Sequence, residues 1–305
     1  MKDWRHVIYA IVISAAICFP FFTGAYPQHL AASVLIYATL ALTWDMVVRS
    51  GQLPLSIAGF FGLGGYATVL SFLNWRIHPL LSMAFGFLVA FVVALMLGLI
   101  ILRIRGLYFA IITLALSEIV RVVVRNWASL TGGPHGRVLP SAIFGGDFAK
   151  TYWLVLGIAL LTIALSRIFE KSRIHLALTS IRNNEVLARS SGIDVLKYLV
   201  LAFSITAGIQ GLVGGAYVHI YAFISPDAAF SPHLLLVPVT TAVVGGMGNT
   251  LGPIVGAVFL GVAAEYLKLQ MPYGHLLIYG VMVVVVILLM PKGIVGTIQA
   301  RLKGG

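Results

Sequence analysis

The chain has 305 residues, of which 60% are hydrophobic and only 10% are charged, and its mean hydropathy is +1.02. A soluble domain carries about 25% charged residues, because its surface faces water. This composition therefore excludes an ordinary soluble protein and predicts an all-α, polytopic integral membrane protein. The formal net charge of +11 fits basic loops on the cytoplasmic side of a membrane, and nucleic-acid binding receives little weight.

Apolar blocks recur along the chain, and each is long enough to cross a hydrocarbon core at about 1.5 Å per residue. They predict about ten transmembrane helices in one transmembrane domain, residues 1–305. The first block follows a short basic start, but no small-residue cleavage site follows it, so we interpret it as a retained helix. The eighth is short, and a broken or re-entrant segment is the alternative to an ordinary span there. The blocks are 7–22, 30–48, 53–73, 79–102, 107–124, 152–169, 198–223, 234–246, 252–267 and 276–290.

The distribution of basic residues predicts the topology. If the N-terminus is cytoplasmic, most of the 20 Lys and Arg residues fall in loops on the inside. Both termini are then cytoplasmic, as an even number of helices requires. The polar segment 170–197 lies inside, and the glycine-rich loop 126–150 lies outside. This outer loop, with basic residues of its own, fits the charge rule least well.

Small residues recur at helical spacing in the second half of the chain. Lipid offers helices no hydrophobic reason to associate, so close backbone approach at small residues is what holds them together. The alternative is that glycine is simply frequent in membrane helices. The predicted packing residues are Gly211, Gly214, Gly215, Gly252 and Gly256. A similar glycine motif at 61–66 leaves an internal repeat open.

Two acidic residues inside predicted helices, Asp45 and Glu118, are candidates for the solute pathway. A charged side chain in the membrane is costly and by default indicates function. Arg49 and Arg121 stand four and three residues away, however, so simple pairing on one helix face is at least as good an interpretation. A third acid, Glu265, lies near a helix end, where an interfacial pair with Lys268 is favoured.

Catalytic and metal-binding patterns are absent from the sequence. The single cysteine, Cys18, excludes a disulfide framework. The eight histidines do not form a zinc-binding spacing, and no phosphate-binding glycine loop appears. We therefore predict no metal site, no cofactor and no enzymatic activity in this chain.

The segment 180–194 is the most informative. It is polar and lies between two long apolar blocks on the basic side. Ile181, Leu187, Ala188 and Ser191 can share one side of a short helix that Gly192 would end. Such a helix would dock into a cytoplasmic partner; an ordinary solvated amphipathic loop is the equal alternative.

This segment resembles the cytoplasmic loop of the branched-chain amino acid ABC transporter permeases, in particular the LivM-type subunits. The resemblance covers roughly residues 30 to 300, with several motifs in register. Two departures stand out: Ser56-Ile57-Ala58-Gly59 replaces a usual Ser-Leu-Gly-His run, and Asn183 stands where glutamate is common. The matching motifs are 102–115, 131–133, 180–194, 201–203, 211–215, 225–226, 244–249, 251–253 and 291–293.

The resemblance implies an ABC importer permease fold in the bacterial inner membrane. It implies a core of two homologous permeases, two cytoplasmic ATPase subunits that bind the ATP and Mg²⁺, and a periplasmic binding protein. It also implies that the stretch from Arg182 to Gly192 is a coupling helix in contact with the ATPase. By carry-over, that contact is assigned to Arg182, Asn184, Glu185, Ala188 and Gly192.

The function implied is import of branched-chain or related hydrophobic amino acids. Members of the family also move urea, short amides and aromatic acids, and those solutes stay open. A different class, a secondary transporter driven by an ion gradient, would need Asp45 or Glu118 to bind protons or sodium.

Overall fold

The computed structural model describes residues 13–270 and 275–303, and its regular structure is almost entirely helical. In those residues 9 helical spans are long and apolar enough to cross a bilayer. An additional short apolar helix, α1, covers Ile13–Phe22; the predicted first block starts at residue 7, outside the described residues. The all-α, polytopic architecture is thus confirmed. The other helices are α2 Ala25–Val48, α3 Ile57–Trp75, α4 Pro79–Ile101, α5 Leu107–Asn126, α6 Ala128–Thr131, α7 Phe148–Lys171, α8 Arg173–Asn183, α9 Glu185–Ser190, α10 Val195–Tyr221, α11 Pro226–Ala229, α12 Pro232–Gly245, α13 Leu251–Gln270, α14 His275–Leu289 and α15 Gly293–Lys303.

The third helix starts later than the apolar pattern predicts, at Ile57 instead of residue 53. Pro54 disfavours helical geometry in the residue before it. Two backbone groups of the connection before α3 form hydrogen bonds with side chains of other helices instead. The indole N–H of Trp44 donates to the Pro54 carbonyl at 2.8 Å, and the hydroxyl of Thr113 accepts from the Leu55 N–H at 2.9 Å.

The polar segment 170–197 is largely helical, but it is not the single helix that we expected from Arg182 to Gly192. Helix α8 ends at Asn183, and α9 starts at Glu185. Between them Asn184 has an extended backbone, with φ −161° and ψ 108°. Its side chain caps α9, which is the usual role of asparagine at a helix start.

The loop 126–150 contributes one of the two short strands in the described part of the chain. Strand β1 (Arg137–Val138) pairs antiparallel with β2 (Phe223–Ile224), so the loop is joined to the connection after α10. It ends at Asp147, which caps α7 by accepting from the N–H groups of Ala149 and Lys150. These hydrogen bonds lower the pKa of Asp147 from its usual value, and the bond from the Lys150 N–H has the largest effect. We call this end of the bundle the β end.

The opposite end carries α8 and α9, and we call it the α9 end. The short eighth block, 234–246, is not itself broken: it falls in the single helix α12, and α11 precedes it to give one apolar span, Pro226–Gly245. The last apolar block ends at Leu289, before Pro291, and a separate helix, α15, follows.

The most deeply buried long helix is α10, which packs against α3 and α4 along a row of small residues. A Cβ atom added to Gly64 would lie 2.2 Å from the Cα of Gly211, and one added to Gly214 would lie 2.0 Å from the Phe61 carbonyl oxygen. A Cβ atom on Gly215 would lie 2.4 Å from the Thr68 hydroxyl. The two glycine motifs whose similarity left a repeat open are thus the two sides of one helix contact.

A second close contact joins α12 and α13. A Cβ atom on Gly252 would lie 1.7 Å from the carbonyl oxygen of Gly246, and one on Gly256 would lie 1.9 Å from that of Thr241. The two backbones touch here, so no other side chain fits without separating the helices.

We predict that Gly64→Ala will lower the midpoint of thermal unfolding of the purified protein in detergent. The added methyl group meets backbone atoms that cannot rotate away, and overpacking of this kind costs about 1–3 kcal/mol. Gly157→Ala is the matched control, because a Cβ atom there meets nothing within 4 Å. Equal midpoints for the two variants would contradict the close contact.

Candidate functional site

Helix α9 projects from the α9 end with both of its termini held by local hydrogen bonds. The Asn184 side chain accepts from the Leu187 N–H at 3.1 Å. Gly192, with φ +80°, closes the other end, where its N–H donates to the Arg189 carbonyl and that of Ile193 to the Ala188 carbonyl. A residue with positive φ at this position is the common way to end a helix. The six-residue helix is therefore well defined despite its length.

One face of α9 is anchored to the bundle. Ala188 is 3% exposed and belongs to an apolar cluster with Leu178, Ile181 and Val195. The Glu185 carboxylate lies between Arg105, at 3.0 Å, and Arg189, at 2.7 Å. Because Arg105 belongs to the turn between α4 and α5, this ion pair joins α9 to that turn.

Arg182 is placed differently from the other predicted coupling residues. It lies in the last turn of α8, and its Cγ atom is so close to Gly51 that a Cβ atom on that glycine would lie 3.3 Å away. The backbone of Gly51 has φ +84° and follows the end of α2. The stem of Arg182 therefore contacts the end of α2, beside the α8–α9 pair.

The other face of α9 is apolar and open. Val186 is 75% exposed and Leu187 is 63% exposed. The expectation that Leu187 and Ser191 share a side with Ala188 and Ile181 is wrong: the first two are exposed and the other two are buried. Leu187 and Ala188 are consecutive residues of α9, and neighbours at i and i+1 do not share a helix face. Two adjacent exposed aliphatic side chains on an otherwise polar projection are typical of a surface that another protein covers.

A buried ion cluster lies near the end of α2 that Arg182 contacts. Asp45 and Arg49 are 0% and 2% exposed, and their charged groups are 2.9 Å apart. Arg49 also lies 3.6 Å from Glu170 at the end of α7. The pairing predicted from the spacing of Asp45 and Arg49 is therefore present, but the third member, Glu170, comes from a distant part of the chain.

The cluster extends to the turn between α12 and α13. The N–H of Gly248 donates to Asp45 at 2.6 Å, and the N–H and hydroxyl of Thr250 both donate to Glu170 at 2.6 Å. Ser166 accepts from Arg49 at 3.0 Å. Helices α2 and α7 and the 246–250 turn thus share one buried polar network.

Glu118, the other pathway candidate, is placed at the β end and is 58% exposed. Its carboxylate lies 2.8 Å from Arg121, as the three-residue spacing indicates. Arg121 in turn lies 2.9 Å from Asp227 of α11. The structure therefore separates Glu118 from Asp45 and gives each its own arginine.

Glu265 does not have the partner that the sequence favoured. Its carboxylate accepts a hydrogen bond from the Tyr26 hydroxyl, and it lines a cavity of about 450 Å³ between α2, α12, α13 and α14. No sequence signal indicated this cavity, because its wall combines residues from four separate helices. In the described residues no cluster of three or more His, Cys, Asp and Glu side chains is arranged to hold a metal ion.

We predict that Arg49→Met will strongly destabilise the protein. Removing one member of a buried ion pair leaves an uncompensated charge and costs about 3–5 kcal/mol, and here Asp45 would keep its hydrogen bond from Gly248 but lose its arginine inside the bundle. Lys150→Met is the control: its ion pair with Asp147 is 57% exposed on the lysine side, and an exposed pair contributes only about 0–1 kcal/mol. Thermal unfolding of both variants in detergent makes the comparison, and similar midpoints would show that the cluster contributes little.

Comparison with known proteins gives a consistent result. The profile of the family described as branched-chain amino acid transport system / permease component matches residues 26–287. The high-affinity branched-chain amino acid transport system permease protein LivM of Salmonella typhimurium is 30% identical over 94% of this chain and 74% of its own length. LivM of Escherichia coli is 29% identical over the same shares.

The permease protein LivH of Escherichia coli is a more distant relative, 27% identical over 57% of this chain and 60% of its own length. No solved structure matches the chain. The family profile covers most of the spanning helices and the whole of α8, α9 and the 246–250 turn, so the arrangement described above is that of the matched region. The chain belongs to the family of permease components of branched-chain amino acid transport systems.

Proposed function

We propose that this chain is the membrane-spanning permease subunit of an ATP-driven importer for branched-chain or related hydrophobic amino acids. The observation that carries the proposal is α9, a capped helix that presents Val186 and Leu187 to solvent while Ala188 and Glu185 hold it to the bundle. A separate ATPase would grip this projection. ATP and Mg²⁺ would be bound by that ATPase, so this chain is a translocation subunit and not an enzyme.

The partners follow from the same reasoning. Both a LivM and a LivH are similar to this chain, which supports a core of two different permeases, with two ATPases on the cytoplasmic side. A periplasmic binding protein would deliver the solute at the β end, where loop 126–150 is the largest connection. We propose that the protein lies in the bacterial inner membrane in this orientation, with both termini in the cytoplasm.

The contacts of α9 suggest how force would pass into the membrane. The pair Glu185–Arg105 joins α9 to the α4–α5 turn, and the stem of Arg182 lies against Gly51 at the end of α2. Motion of the α8–α9 pair on closure of the ATPases would therefore move α2 and α4 together. Such rigid-body displacement is a common way to switch access between two sides of a membrane.

The ion-coupled alternative has less support. A proton or sodium site needs a carboxylate that is free to bind the ion, whereas Asp45 is already neutralised by Arg49 and accepts from Gly248. Glu118 is exposed and paired at the β end. Urea, short amides and aromatic acids stay as alternative solutes, because the binding protein sets much of the selectivity.

Uptake into proteoliposomes tests the class of transporter. We expect leucine uptake only when the ATPase subunits, the second permease and the binding protein are present with ATP, and we expect vanadate to abolish it. An ionophore that collapses ion gradients should leave uptake intact. Uptake by the isolated chain that the ionophore abolishes would establish the ion-coupled alternative instead.

We predict that Leu187→Asp will prevent co-purification of the ATPase subunits and abolish ATP-dependent uptake, because a charge would enter an apolar contact. Leu187→Met keeps the apolar volume and should retain both properties. The side chain is 63% exposed, so neither change should alter thermal unfolding of the isolated subunit. Normal ATPase binding by Leu187→Asp would remove α9 from the contact.

A further inference from the structure

A cavity of about 450 Å³ lies between α2, α12, α13 and α14. Sites for small molecules occupy roughly 300–1,000 Å³, so the cavity falls at the small end of that range. Helices α2 and α13 pack closely beside the cavity, where a Cβ atom on Gly261 would lie 2.6 Å from Val34.

Most of the cavity wall is aliphatic. Leu30, Val34, Val237, Leu260 and Val283 contribute, one or two from each of the four helices. Such a wall accommodates a branched aliphatic group and offers nothing to a sugar or a nucleotide, whose many hydroxyl or phosphate groups would lose their hydrogen bonds to water. The wall therefore favours a ligand with an apolar group.

One acidic group interrupts this wall. Glu265 lies one turn beyond Gly261 on the same face of α13, and its carboxylate holds the Tyr26 hydroxyl. A carboxylate in a transmembrane helix is costly unless it serves a ligand or a partner. Its second oxygen remains available to accept from a cation such as a primary ammonium group, which has three N–H donors.

The cavity is also lined by neutral hydrogen-bond donors, which can bind a negatively charged group. The Tyr37 hydroxyl lies 3.4 Å from Nδ1 of His233, and the two rings meet edge to face. Tyr279 and Thr240 also line the cavity. These hydroxyl and imidazole groups can donate to a carboxylate without adding a full positive charge.

We propose that this cavity is a solute-binding site inside the permease, which takes the zwitterion of an aliphatic amino acid. The side chain would occupy the aliphatic wall, the ammonium group would contact Glu265, and the carboxylate would accept from Tyr37 and His233. This inference rests on the function proposed above and adds a site within the membrane to it. Because α2 carries both Tyr37 and the Asp45–Arg49 pair, movement at the α9 end would alter the cavity.

The test uses the complete transporter, with both permeases and both ATPases, in lipid nanodiscs without the binding protein, and measures equilibrium binding of radiolabelled leucine. Gly280→Leu fills the cavity without a backbone clash, since a Cβ atom there meets nothing within 4 Å. Gly157→Leu adds the same side chain at an equally open position on α7, away from the cavity. We expect about tenfold or greater loss of leucine affinity in Gly280→Leu and none in Gly157→Leu.

Glu265→Gln tests the ammonium contact separately, with 4-methylpentanoate, which is leucine without its ammonium group, as the competitor. The wild-type protein should prefer leucine over 4-methylpentanoate by about tenfold or more, and Glu265→Gln should lose this preference. A merely structural role for Glu265 would weaken both ligands equally, and that result would overturn the assignment.

The remaining outcomes separate the inference from the proposed function. Leucine uptake with unchanged leucine binding in Gly280→Leu would overturn the site and leave the importer intact. A wild-type cavity that holds a lipid chain and no leucine would do the same. Failure of the complete system to take up any aliphatic amino acid would overturn the proposed function itself.

Discussion

The packing of α10 against α3 and α4 depends on positions where two backbones touch and no side chain intervenes. Lipid is as apolar as leucine, so burial of apolar surface cannot hold these helices together, and close van der Waals contact has to. Gly64 against Gly211 and Gly214 against Phe61 supply that contact. With α10 held in the middle of the bundle, the other helices have a rigid surface on which the ends can be positioned.

Helix α2 connects the two regions to which we assign function. At the α9 end its Asp45 and Arg49 join α7 and the 246–250 turn, and Gly51 contacts Arg182. Twelve residues before Arg49, Tyr37 lines the cavity. A helix rises about 1.5 Å per residue, so these points are joined by one stiff element. We therefore propose that the buried ions are a mechanical link between these regions and not a solute pathway.

The contacts of α9, the proposed ATPase contact, explain how so short a helix is held. Its six residues are shorter than any helix that is stable alone in water. The Asn184 cap and the Gly192 termination fix its two ends, and the Glu185–Arg105 pair joins it to the bundle. Val186 and Leu187 are left exposed as a consequence. A partner that covers them would bury apolar surface, and because α9 is held rigidly, its movement would be transmitted to the bundle.

The sequence by itself determined the solvent, the approximate spans and the family resemblance, because these depend on composition and on residues close together in the chain. It also predicted the pairs Asp45–Arg49 and Glu118–Arg121, since helical spacing is local. Only the tertiary structure brought Glu170 to Arg49 and Thr250 to Glu170, buried Ala188 while Leu187 stayed exposed, and assembled the cavity around Glu265. Those arrangements depend on how separate helices rotate and cross, and in a membrane every face of a helix is apolar, so periodicity does not reveal which face meets which neighbour.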